Sequence, residues 1–133
     1  MKHIITGTIL FILISFAAQS ISHFGINAAH YATVPFLRKE PIFILGFLTM
    51  INQGIILSHF FTIYCNNEIT LRKGLVYGIL MSAFFVSYPA LVEPAKYQVP
   101  SISSWILVEA TVGILQFSLF GVLLAALFKK LKR

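Results

Sequence analysis

Residues 105–128 read WILVEATVGILQFSLFGVLLAALF, an apolar run interrupted by a single charged side chain, Glu109. About 20 apolar residues in an α-helix cross a ~30 Å hydrocarbon core. An isolated strand cannot satisfy its backbone in lipid. The stretch therefore predicts a transmembrane helix. Three more runs of the same character lie at residues 4–24, 42–64 and 75–92. The expectation is an all-α, membrane-embedded four-helix bundle in a single domain spanning 1–133.

Composition points the same way. The chain is 58% hydrophobic and 11% charged, with a mean hydropathy of +0.88. Soluble domains are about 25% charged, so a water-soluble fold of this size has too little polar cover. The net charge is +6. The basic residues stand at the ends of the apolar runs and are not interleaved with aromatics, which argues against nucleic acid. They read instead as topology signals, and the basic C-terminus (Lys129, Lys130, Lys132, Arg133) as a contact for anionic lipid head groups.

Counting Lys and Arg sets the orientation. Seven of the ten fall at the N-terminus, in the second loop (Arg72, Lys73) and in the tail, against Arg38, Lys39 and Lys96 on the opposite side. The positive-inside rule then predicts cytoplasmic N- and C-termini in a bacterial-type inner membrane. Segment one also has a rival reading as a secretory signal peptide, with residues 16–20 as an imperfect cleavage site. A retained helix is the preferred expectation, because the apolar run is long for a leader.

Punctuation marks the boundaries. Glu40-Pro41 precedes segment two, placing Pro41 in a first helical turn, and Asn66-Asn67 follows it. Glu93-Pro94 is expected to close segment three. Ser103 or Ser104 is expected to cap segment four. Cys65, the single cysteine, cannot form an internal disulfide and reads as an inert helix-end residue.

Close backbone approach drives helix association in lipid. Gly74, Gly78 and Ser82 form a small-residue stripe at four-residue spacing, while Gly46, Gly54 and Ser58 mark segment two and Gly121 marks segment four. These stripes are expected to pack the helices internally. The competing use is a face for a homo-oligomer or another membrane protein.

Polar groups inside a bilayer are costly and mark candidate sites. Glu109 lies about 6 Å below the start of its helix at 1.5 Å per residue. Gln19 and His23 share that depth, so Glu109 and His23 are within reach of each other; the preferred expectation is that Glu109 snorkels to the outer interface or simply locks helix four to helix one. Near the midplane come Asn52, Gln53 and Gln116, with a Gln53–Gln116 hydrogen bond the simplest reading. His23 and His59 lie at opposite depths and cannot share one haem. No cofactor is expected, and no zinc spacing, phosphate loop or nucleophile elbow is present. The loop from 25 to 40, with His30, Tyr31 and Phe36-Leu37, is the candidate lid over the bundle mouth.

Glu40-Pro41-Ile42 through Gly46 and Gln53-Gly54, with their counterparts Ser103-Ser104-Trp105, Glu109, Gln116-Phe117 and Gly121, resemble small four-helix bacterial membrane proteins of domain-of-unknown-function type. That resemblance implies a fold and no activity. Small multidrug transporters also carry a membrane-embedded glutamate, but in their first helix. Residues 4–24 hold none, so their function is not carried over. The functional expectation is a structural or accessory membrane protein, not an enzyme. The runner-up is a small proton- or cation-coupled carrier with a polar path through Glu109, Gln116 and Gln53. An intramembrane enzyme using Glu109 and His23 as an acid/base pair comes last.

Overall fold

The computed structural model describes residues 1–35, 38, 40–66 and 68–132. Phe36-Leu37 and Lys39 of the first loop, Asn67 and Arg133 lie outside the described residues. Helix α1 (Lys2–Ile21) continues into a π-helical turn (Ser22–Ile26), and a short α2 (Ala28–Ala32) follows. Next come α3 (Phe43–Cys65) and α4 (Leu71–Ser87). A second π-helical turn (Tyr88–Val92) leads from α4 into α5 (Glu93–Lys96), and α6 (Ile102–Leu131) completes the bundle. Four helical stretches are long and apolar enough to cross a membrane: Lys2–Ile26, Phe43–Cys65, Leu71–Lys96 and Ile102–Leu131. This is the architecture of a multi-pass membrane protein, all-α among the described residues.

Several boundaries differ from the sequence reading for local reasons. The third span starts at Leu71, earlier than expected, because the Thr70 hydroxyl accepts the Lys73 N–H (3.1 Å) and caps the helix. Glu93-Pro94 does not close this span. Proline is tolerated in a first turn, and Pro94 sits in the opening turn of α5, which extends the helical path to Lys96. The cap of α6 is Ser101, not Ser103 or Ser104; its hydroxyl accepts the Ser104 N–H at 3.3 Å. Pro41 precedes α3, whose N-cap is Ile42. The α3–α4 loop is held by Lys73, which bonds Glu68 at 2.8 Å and so keeps that carboxyl below its usual range.

Helix α6 is the hub. It packs along α4 and also along α1, and α1 in turn packs against α3. The α4–α6 contact is the most extensive because glycines let the two backbones touch. A Cβ added at Gly74 would stand 2.7 Å from the Ala125 Cβ and overlap the Gly121 carbonyl oxygen. One added at Gly78 would lie 2.8 Å from the Ser118 Cα, and one at Gly121 would lie 2.9 Å from the Gly78 nitrogen. Ser82 continues this stripe and is 2% exposed. Gly113, which the spacing argument did not single out, meets Val86 in the same way.

Gly54 and Gly7 serve the α1–α3 contact, against Thr8 and Ser58 respectively. Gly46 does not pack: nothing lies within 4 Å of its would-be Cβ. Beside it α1 and α3 meet through the stacked Phe16 and Phe47 rings (5.5 Å), and Gly46 lines the cleft between the two helices. Helices α3 and α4 touch sparsely, chiefly where the Tyr77 hydroxyl donates to the Leu57 carbonyl (2.7 Å) and where the Phe61 and Tyr77 rings meet at 5.1 Å.

The core fills the half of the bundle near the termini. Phe11, Phe61, Phe120, Phe128, Leu57 and Leu124 are fully buried. Their rings meet edge to face, as in Phe11–Phe120 (4.9 Å) and Phe61–Phe128 (5.7 Å). Gln19, Gln116, Glu109 and Tyr31 lie toward the other end.

Gly78→Leu should force α4 from α6 and destabilise the bundle by about 2 kcal/mol or more, as overpacking does. Gly46→Leu should leave the thermal midpoint unchanged. Thermal unfolding of both variants in detergent checks the contrast.

Candidate functional site

The polar residues gather in the half of the bundle away from the termini. Ser15 and Gln19 stand one helical turn apart on α1, facing Gln116 of α6. The Gln116 amide Nε2 donates to the Ser15 hydroxyl (3.0 Å), and the Gln19 amide Nε2 donates to Gln116 Oε1 (2.9 Å). Gln116 is 7% exposed, so both bonds form where an unmade one is costly. Together they fix α1 to α6 at mid-depth.

Glu109 lies two turns from Gln116 on the same face of α6. Glu109, Gln116, Gln19 and Gln53 line one chamber of about 170 Å³, walled by Phe85, Val86, Pro89 and Phe117. A chamber this polar and roomy accommodates water. It adjoins a larger cleft of about 540 Å³ between α1 and α3, and Gln19, Gln53 and Gln116 line both. The cleft is otherwise mostly aromatic and aliphatic, with Phe16, Phe24, Phe43 and Phe47 along it. Beyond Gln116 toward the termini, Phe11, Phe117 and Phe120 close the interior. The polar path therefore opens in one direction only.

The loop closes over Glu109 through one atom. Helix α2 turns Tyr31 into the bundle, and its hydroxyl donates to Glu109 Oε1 at 2.6 Å. Burial, and then the bond to Glu109, raise the Tyr31 phenol above its usual range. The His23 ring stacks on Tyr31 at 3.8 Å. Tyr31, Val34 and Trp105 form a small buried cluster of their own. His30 packs beside it, with its ring 5.5 Å from that of Trp105 and its buried Nε2 unpaired among the described residues.

Both π-helical turns border this site. Pro89 lacks an N–H and its ring crowds the carbonyl one turn back, so the helix widens. The Trp105 indole N–H then donates to the Pro89 carbonyl at 2.9 Å. The other wide turn carries His23, and the Asn27 amide steadies it by donating to the Ser22 hydroxyl (2.9 Å).

The structure brings together five of the six residues the sequence nominated, all but Asn52, and rearranges their pairing. Glu109 does not pair directly with His23; Tyr31 stands between them, bonded to one and stacked on the other. Gln116 bonds Gln19 and Ser15 rather than Gln53, which lines both cavities. Asn52 lies exposed on the outer face of α3, outside the site, as does His59. Sequence reasoning named the loop as a lid but missed Tyr31 as its contact. It also missed Ser15, whose only signal was its four-residue spacing from Gln19.

No Lys or Arg is among the described residues that line either cavity. Among the described residues, no three His, Cys, Asp or Glu side chains come together as metal ligands. Among the described lining residues the only carboxylate is that of Glu109, so the site favours hydrogen-bond donors and positive charge over anions. Set beside protein families, curated proteins and solved structures, the chain matches none of them.

Tyr31→Phe should cost about 2 kcal/mol, because it leaves the Glu109 acceptor without its donor. A phenol whose folded pKa is raised stabilises fully below its unfolded value of about 10 and loses that contribution as pH rises through the folded value. Denaturation in detergent across the alkaline range should therefore show wild type converging on Tyr31→Phe.

Proposed function

We propose that this protein is a small carrier in a bacterial-type inner membrane, with cytoplasmic termini, that uses Glu109 as a proton- or cation-accepting group. The observation that supports this reading most is the chamber itself. Four polar side chains from three helices line one unfilled volume, with Gln19 bonded to Gln116. A purely structural link needs only the Gln19–Gln116–Ser15 bonds and the Tyr31–Glu109 bond, and none of these needs an unfilled chamber beside Glu109.

The structural or accessory reading draws on small-residue stripes as a face for a partner. Gly74, Gly78 and Gly121 are occupied at the α4–α6 crossing, which weakens that reading. The orientation rests on the seven basic residues that fall on the side of the termini and second loop, where they would meet anionic head groups.

In this arrangement a proton or cation reaches Glu109 from the side of the 25–42 loop, and Tyr31 must release the carboxylate to admit it. Passage onward requires the aromatic layer at Phe11, Phe117 and Phe120 to part. Helix α3 is the element best placed to move, since it packs closely against α1 alone.

The test is proton flux into vesicles containing the full chain, read with an internal pH dye. Wild type should dissipate an imposed gradient, and Glu109→Gln should slow it by roughly a hundredfold, the usual loss for a removed proton-transfer group. Flux at the level of protein-free vesicles, or flux indifferent to Glu109, sinks the carrier reading and returns the accessory one.

A further inference from the structure

The chamber alone does not explain the cleft between α1 and α3, because a path for a bare proton needs no cavity of about 540 Å³. That volume lies within the range of small-molecule sites, about 300–1,000 Å³. Its chemistry changes along its length. At one end are the amides of Gln19, Gln53 and Gln116, with the Glu109 carboxylate just beyond in the adjoining chamber. Along the rest run Phe16, Phe24, Phe43 and Phe47, with Gly46 leaving room where a side chain would stand.

We propose that the cleft binds a single-tailed amphiphile with an uncharged or cationic hydrogen-bonding head. Its alkyl chain lies between α1 and α3, and its hydroxyl or amine reaches the amide cluster beside Glu109. This rests on the carrier reading and names its substrate class.

Three observations carry it. First, the two cavities share Gln19, Gln53 and Gln116, so a head group placed among these amides has its tail in the aromatic cleft without leaving the site. Second, charge complementarity selects the head. No Lys or Arg is among the described lining residues, and the one carboxylate on the walls repels phosphate and carboxylate heads while favouring an amine. Third, Gln53 lines both cavities while Gln116 is engaged by Gln19 and Ser15, so Gln53 is placed to bond an entering head group. Helices α3 and α4 touch sparsely, and the exposed face of α3 from Phe43 to Leu48 would meet lipid. An amphiphile can thus enter sideways from the bilayer, without crossing water.

The experiment uses the full chain in zwitterionic nanodiscs and three photoprobes: a long-chain alkyl amine, the matching alcohol and the matching carboxylate, each with a mid-chain diazirine. Labelled peptides are mapped by mass spectrometry. Labelling by the amine and alcohol should concentrate on the facing halves of α1 and α3 around Phe16 and Phe47, and the carboxylate should label there severalfold less. Gly46→Trp fills the cleft at a position with no neighbour within 4 Å, so the protein should fold and lose this labelling severalfold. Ile114→Trp, on an exposed face of α6, should not. Labelling spread evenly over the lipid-facing surface, equal labelling by the carboxylate, or insensitivity to Gly46→Trp overturns the proposal. Proton flux that depends on Glu109 but continues in Gly46→Trp without specific labelling would retain the carrier and reject the amphiphile. Specific labelling without flux would retain the binding site and reject the carrier.

Discussion

The contact between the backbones of α4 and α6 is the constraint on which the rest of the structure depends. Lipid tails are as apolar as leucine, so burying hydrocarbon gives helices in a bilayer little reason to associate. Close packing does. Gly74 and Gly78 bring α4 so near to Gly121 that no side chain fits between them. With α4 held on one flank of α6 and α1 on the other, the face of α6 that carries Glu109 and Gln116 points inward. Had α4 been held off by larger residues, the same two side chains would face lipid at considerable cost.

The site follows from an imbalance in that packing. Toward the termini, phenylalanine and leucine fill the bundle. Toward the loops, α3 has only α1 for a close neighbour, and two helices widen into π turns. Pro89 causes one of these, and its own carbonyl accepts the Trp105 indole N–H. The space that remains is lined by amides and one carboxylate, and Tyr31 reaches across it from a five-residue helix. The Gln19–Gln116, Gln116–Ser15 and Tyr31–Glu109 bonds each join parts distant in the chain, so the site exists only once α1, α2 and α6 are assembled.

Hydropathy made the four spans legible, because length and apolarity are imposed directly by the bilayer. The caps were less so. Thr70 and Ser101 stand outside the most apolar stretches, and a charged first turn such as Arg72-Lys73 reads like loop. Which face of a helix meets protein was only partly readable. Gly46 and Gly54 look alike in sequence, yet only Gly54 has a neighbour, since a lipid-facing and a protein-facing apolar surface have the same composition. The candidate residues Glu109, Gln116, Gln19 and Gln53 were recognisable because polarity in a membrane is rare. Their pairing was not. It depends on helix rotation and on a tyrosine delivered by a loop, and neither leaves a periodic signal. Asn52 shows the converse: polarity at the right depth does not reveal which way a residue points.

The position of the hub in the chain has a consequence for biogenesis. Helix α6 is the last of the four spans to be made, yet both α4 and α1 dock onto it. During synthesis the α1–α3 pair can form early, while α4, with few contacts of its own to α3, waits in the bilayer for α6 to emerge. That order suits the two most polar groups of the site. Glu109 and Gln116 enter the membrane only after Tyr31, Gln19 and Ser15 are already in place to receive them. The span that carries the site's carboxyl group thus arrives with its hydrogen-bond partners waiting.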